Sequence, residues 1–137
     1  KKGAYKVVLD DLDISSLELI FEQADKLPMK NNLERPFTIV ASKSHMSKST
    51  NDYLVQMRTL HKEINIISKG SSLKLCMVAE GKADCYPRFS PTMEWDTAAG
   101  QAICACAGFD LIDWKSNQTM QYNREELLNP SFLVKAF

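Results

Sequence analysis

The sequence predicts an α/β domain, a layered sheet with helices on both faces, on three observations. Strand-like and helix-like segments alternate along the 137 residues. One segment, residues 37–42 (FTIVAS), is apolar enough to be a strand buried on both faces. Two glycines, Gly81 and Gly108, stand just past helical patterns, where a left-handed residue ends a helix.

Each element has its own signal. Residues 3–9 read as a strand, at an edge or entering from a neighbour outside the chain, and 10–13 as an acidic turn. Residues 15–26 open on serine with Glu18 three positions on, a capping-box spacing, and Leu17, Ile20, Phe21 and Ala24 share one helical face. A polar connection, 28–36, leads into the strand at 37–42. Residues 47–60 form a helix with Tyr53, Leu54, Met57 and Leu60 as its apolar stripe and Ser47 or Ser49 as its cap. A strand at 63–68 follows, then a helix at 71–80 closed by Gly81, then a strand at 83–87 closed by Pro87 and Pro91. A helix from Glu94 or Trp95 runs to Ala107 and ends at Gly108. Residues 111–113 are a short strand, 116–118 a turn, 123–128 a helical turn and 132–136 a terminal strand. No repeat, low-complexity tract or flexible linker divides the chain, so one domain is expected.

Composition removes several classes of function. Seventeen basic and 17 acidic residues give a formal charge of zero, which leaves no basic footprint for nucleic acid. Phosphate binding, if present, rests on a local arrangement. The apolar runs are too short to cross a bilayer, and Lys1, Lys2 and Gly3 carry no signal-peptide pattern, so a cytoplasmic location with no membrane requirement is expected. The missing initiator methionine suggests a piece of a longer chain. Cys76, Cys85, Cys104 and Cys106 lack zinc-site spacing and lie far from both histidines, which predicts reduced, mostly buried thiols. No Walker loop, nucleophile elbow or Cys–His pair occurs.

In open α/β sheets, ligands collect at strand carboxyl ends and helix N-termini. Three loops qualify: 43–48, 69–74 and 88–98. In the second, Ser71, Ser72 and Lys74 stand at a helix start, where acidic residues are normally favoured. Either Ser71 caps the helix and Lys74 points to solvent, or the hydroxyls, free N–H groups and ammonium seat a phosphate. In the third, Asp96 opens the helix of W-D-T-A-A-G. It is either an N-cap beside closely packed small residues or a carboxylate ligand for Mg2+, an ion that takes six oxygens but usually only one or two carboxylates. One aspartate does not make such a site alone. Arg88 either pairs with phosphate or stacks on a ring, or it is a surface residue in a proline-framed turn. His45 either faces a phosphate or base or is simply exposed. His61 looks solvated. Glu94 caps or pairs with a neighbour and is assigned no catalytic role.

Taken together, these residues carry a resemblance. W-D-T-A-A-G, residues 95–100, resembles the second signature of the inositol-monophosphatase superfamily of Mg2+-dependent phosphatases. The whole stretch 70–100 is similar to its 3′(2′),5′-bisphosphate nucleotidase branch. The similarity extends upstream through V-A-S-K-S-H and downstream through Tyr122 to L-L-N-P-S-F, ending at Phe132, and is weakest over 10–34. It implies release of the 3′-phosphate of adenosine 3′,5′-bisphosphate, and action on 3′-phosphoadenylyl sulfate, in sulfur assimilation and nucleotide recycling. It implies that Asp96 binds Mg2+ near the substrate phosphate and serves catalysis, that His45, Ser71 and Lys74 contact the nucleotide, and that Arg88 lies near it. Ser90 and Phe109 depart from positions where the family often has glycine. The family's other metal ligands lie in an earlier half, in a Glu-Glu and an Asp-Pro-x-Asp-Gly-Thr motif, and no Asp-Pro occurs in this chain. Residues 1–137 are therefore expected to be a C-terminal domain whose partner is an absent N-terminal metal-binding lobe. Alone it is expected to be inactive. Two other readings stand beside this one: a module that binds a phosphorylated ligand without chemistry, and a phosphatase of the same superfamily acting on inositol or fructose phosphates.

Overall fold

Period-two alternation along the central strands builds the layers. The structure, a computed structural model, describes residues 3–8, 16–29, 34–42 and 47–136. Its elements are β1 (Ala4–Lys6), α1 (Leu17–Glu22), β2 (Asp25–Leu27), β3 (Phe37–Ala41), α2 (Lys48–Leu60), β4 (Ile64–Ser68), α3 (Leu73–Ala79), β5 (Cys85–Arg88), α4 (Glu94–Ala107), β6 (Phe109–Asp113) and β7 (Phe132–Ala136). The main sheet has the order β4-β3-β5-β7-β6. β3 is parallel to β4 and β5, and β7 is antiparallel to both β5 and β6. Val40, Tyr86, Phe132 and Val134 pack with Leu75 and Val78 of α3 and Cys104 of α4. Ile39 and Cys85, one residue earlier on their strands, pack with Tyr53, Leu54 and Met57 of α2. Helices therefore cover both faces, as expected. Ile39, Leu75, Leu111 and Phe132 are fully buried, and each contributes about 1.5–3 kcal/mol of apolar burial.

The topology also creates a crevice. From β3 the chain passes through α2 to β4 on one side, then returns through α3 to β5 on the other side of β3. Strand order reverses between β3 and β5, the position where open sheets admit ligands. The two strands pair only at Ile39↔Cys85, so the ladder stops before their carboxyl ends. That ending also lets β5 contain Pro87, which has no N–H to give a neighbour.

Several local expectations change. The helix expected over 15–26 stops at Glu22; Ser16 caps it, its Oγ accepting from Leu19 N at 3.2 Å. Residues 25–27 instead form β2, antiparallel to β1 with Ala4 opposite Leu27, and both residues are buried. Pairing satisfies the backbone groups of β1, a long-range gain that helical periodicity does not reveal. In α2, Ser47 is the cap, its Oγ accepting from Thr50 N at 3.2 Å, but Leu60 is 65% exposed and leaves the stripe. His61 is half-buried, not solvated: its ring stacks on Phe37 with centroids 3.8 Å apart. β6 starts two residues early because Gly108, at φ 91°, turns the chain directly out of α4. Residues 123–128 form no helical turn. The acidic turn at 10–13 lies outside the described residues. All four cysteines are free, with Cys85 and Cys104 buried.

Candidate functional site

A cleft of about 560 Å³ opens at the switch point. Ser71, Lys74, Arg88 and Asp96 all line it, brought from the loop after β4, from α3, from the end of β5 and from the start of α4. Ser42, at the end of β3, joins them. His45 lies outside the described residues.

Lys74 does not point to solvent. It is 4% exposed, and its Nζ donates to Ser71 O at 2.7 Å and Lys69 O at 3.3 Å. The ammonium also sits 5.3 Å from the centre of the Tyr86 ring. Burial lowers its pKa below the ordinary lysine value, and the nearby Arg88 guanidinium lowers it further. Among the described residues no carboxylate pairs with it. Two close cations without an acidic partner make an environment that favours an anion.

Ser71 is not the helix cap. Its φ of 51° places it in the left-handed region, which costs about 1–2 kcal/mol for a non-glycine residue, and its carbonyl is spent on Lys74. Ser72 holds the N-cap position without a side-chain cap bond. Both serines line the cleft. Arg88 is fixed within its proline-framed turn, Nε donating to Ser90 O at 3.1 Å and Nη2 to Pro91 O at 3.3 Å.

Asp96 is the third residue of α4 rather than its cap; Met93 is the cap. Asp96 Oδ2 accepts from Met93 N at 2.8 Å, which satisfies an N–H at the helix start. Oδ1 receives no hydrogen bond from the described residues. Among them no group of three or more His, Cys, Asp or Glu could hold a metal. Asp96 thus fits Mg2+ as one oxygen ligand, with the remainder to come from phosphate, water and groups beyond the described residues. Ala99 and Gly100 both line the cleft, and a Cβ on Gly100 would clash with Leu75 Cδ1. Gly100 is small so that α3 and α4 can approach.

Tyr86 forms part of the cleft and was not singled out from sequence. Its ring lies under Lys74 and edge-on to Phe132, centroids 5.6 Å apart, and its phenol lies beside Arg88. Burial pushes that phenol up to about 12. The available signal was spacing: Tyr86 and Arg88 are two apart on one strand and so share a face. Trp95, 67% exposed, also lines the cleft.

The chain belongs to the inositol monophosphatase family, whose model matches residues 18–136. More particularly, it is similar to the 3'(2'),5'-bisphosphate nucleotidase CysQ of Escherichia coli (strain K12), at 46% identity over 103 residues, which covers 75% of this chain and 40% of that protein. CysQ of Salmonella typhimurium is 47% identical over 104 residues, with the same coverage. The crystal structure of CysQ from Bacteroides thetaiotaomicron matches with a TM-score of 0.88 and 43% identity over 98% of this chain and 50% of that one. The chain therefore spans half or less of the length of these relatives.

Proposed function

We propose that this chain forms one wall of the active site of a Mg2+-dependent 3′(2′),5′-bisphosphate nucleotidase, which releases the 3′-phosphate of adenosine 3′,5′-bisphosphate and also accepts 3′-phosphoadenylyl sulfate. The observation that carries the reading is the shared cleft: buried Lys74 and half-buried Arg88, without acidic partners among the described residues, line it together with a half-free Asp96 carboxylate. Lys74 and Arg88 attract and orient the phosphates, the Ser71 and Ser72 hydroxyls donate to them, and His45 completes the nucleotide contacts. Asp96 supplies one metal ligand. Mg2+ in such a site neutralises phosphoryl oxygens and activates water. The groups that complete the metal site belong, in this reading, to a preceding lobe, and residues 1–137 are the C-terminal domain. The setting is cytoplasmic sulfate assimilation and nucleotide recycling.

The test is phosphate release by the full-length protein with Mg2+, from adenosine 3′,5′-bisphosphate, inositol monophosphate and fructose 1,6-bisphosphate. Preference for the nucleotide is expected, and preference for either other substrate moves the protein to another branch. The purified 137-residue chain should release no phosphate. That Asp96 is the one carboxylate lining the cleft among the described residues also favours a second reading, a phosphate-binding module without chemistry. Tight, metal-independent nucleotide binding by calorimetry, with no turnover by the full-length protein, would select it.

A further inference from the structure

The turn that carries Asp96 is gripped by a side chain 32 to 37 positions away. The Thr92–Met93 peptide unit is held at both ends. Its carbonyl accepts from Asn129 N at 2.8 Å, and its N–H donates to Asp96 Oδ2 at 2.8 Å. The Asn129 side chain reaches further along the turn. Its Nδ2 lies 2.8 Å from Met93 O, 3.0 Å from Thr97 Oγ1 and 3.1 Å from Thr92 Oγ1. Tyr122 adds a hydroxyl donor to Thr97 Oγ1 at 3.2 Å.

Asn129 is itself held. It is 6% exposed, and its Oδ1 accepts from Arg124 Nη2 at 3.2 Å. Arg124 Nε donates to Glu94 Oε1 at 2.9 Å, and Glu94 Oε2 accepts from Asn123 N at 2.8 Å. Burial works against the Glu94 charge, but the bonds from Asn123 and Arg124 outweigh it and hold this carboxyl below its ordinary pKa. These contacts fall on Thr92, Met93, Glu94 and Thr97, which bracket Asp96. Apolar packing would join the two segments as stably, because buried polar networks are demanding and gain mainly geometric specificity.

We propose that Asn129, backed by Arg124 and Glu94, is a positioning residue for the Asp96 carboxylate. With its side-chain amide on Met93 O, Thr92 Oγ1 and Thr97 Oγ1, beside its backbone N–H on Thr92 O, it holds the residues on either side of the Met93 N–H that binds Oδ2, and so leaves Oδ1 for a metal in the cleft. The inference rests on Asp96 as a metal ligand. Groups that orient a ligand typically account for about 10–100-fold in metal affinity.

The experiment uses the full-length protein with Asn129→Asp, which keeps the shape and the backbone bond to Thr92 O but removes the side-chain donors, and with Arg124→Lys and Asp96→Asn. Mn2+ affinity is read by electron paramagnetic resonance, and Met93 amide exchange is read in the metal-free protein. Asn129→Asp is expected to weaken Mn2+ binding by about 10–100-fold. It should speed Met93 exchange by about tenfold or more while leaving the β5 and β7 amides protected. Folded protein with wild-type Mn2+ affinity overturns the proposal. If Asn129→Asp does not fold, Arg124→Lys decides by the same titration: weakened Mn2+ binding supports the proposal and unchanged binding overturns it. Should Asp96→Asn lose Mn2+ while Asn129→Asp keeps it, only this inference falls. Should Asp96→Asn keep Mn2+, the metal reading of the site falls with it.

Discussion

At Lys74 an ammonium sits where burial disfavours it, held by two carbonyls and an aromatic face and placed near Arg88. Its folded pKa lies below its unfolded value. Between those two values the unfolded chain binds more protons, so stability rises with pH across that window; below the window the cost is present in full. A bound anion opposes this by favouring the charged form. Affinity for inorganic phosphate should therefore fall as pH rises through the lowered pKa, before ordinary lysines titrate. Thermal unfolding with and without phosphate between neutral pH and about pH 10.4 measures both effects, and Lys74→Met should abolish the phosphate dependence. At Asp96, the Asn substitution in the full-length protein should lower turnover by about a hundredfold or more. An unchanged rate removes Asp96 from the metal site. Of these residues, Ser71, Lys74, Arg88 and Asp96 were legible as candidates because helix starts and strand ends can be read locally. The burial of Lys74 was not, because a lysine in a first turn looks the same whether it faces water or a tyrosine from another strand.

Between elements, α3 and α4 meet closely at Gly100 and Leu75. Gly100→Ala must displace the Leu75 side chain or the helix that carries it and should cost about 1–3 kcal/mol, read as a lower denaturant midpoint. Because Leu75 adjoins Lys74 on α3 and Asp96 lies on α4, phosphate binding should weaken as well. A second tie joins the entry to β3 with the α3–β5 loop. Arg35 donates to both Asp84 oxygens at 2.6 and 2.8 Å, and Asp84 Oδ2 also accepts from Thr38 N at 2.6 Å. Asp84→Ala should destabilise by about 2 kcal/mol in the same assay, with the cleft residues untouched. The long helices α2 and α4 and the strands β3, β4 and β7 were readable from periodicity, caps and glycine stops. β2 was not, because three residues carry too little pattern to compete with the helical spacing that precedes them. The helical turn expected at 123–128 is absent for a related reason: this segment is held by long-range bonds to Glu94 and to the turn before α4.

At the scale of the whole molecule, the one carboxylate that the described residues bring to the cleft is an incomplete metal site. Mg2+ should leave the thermal unfolding of the 137-residue chain unchanged, while it raises the midpoint of the full-length protein and a chelator reverses the gain. A Mg2+-dependent rise in the chain alone would show that its own residues suffice. The sequence by itself determined what depends on neighbours along the chain: element periodicity, the glycine ends at Gly81 and Gly108, the charge balance, and a motif specific enough to indicate the family. Only the tertiary structure decided which face Lys74 presents, that Gly100 serves helix packing, and that Asn129 grips the turn bearing Asp96. Such contacts join residues far apart in sequence, where closing the chain costs entropy that only burial and hydrogen bonding in the folded state offset, so no local pattern records them.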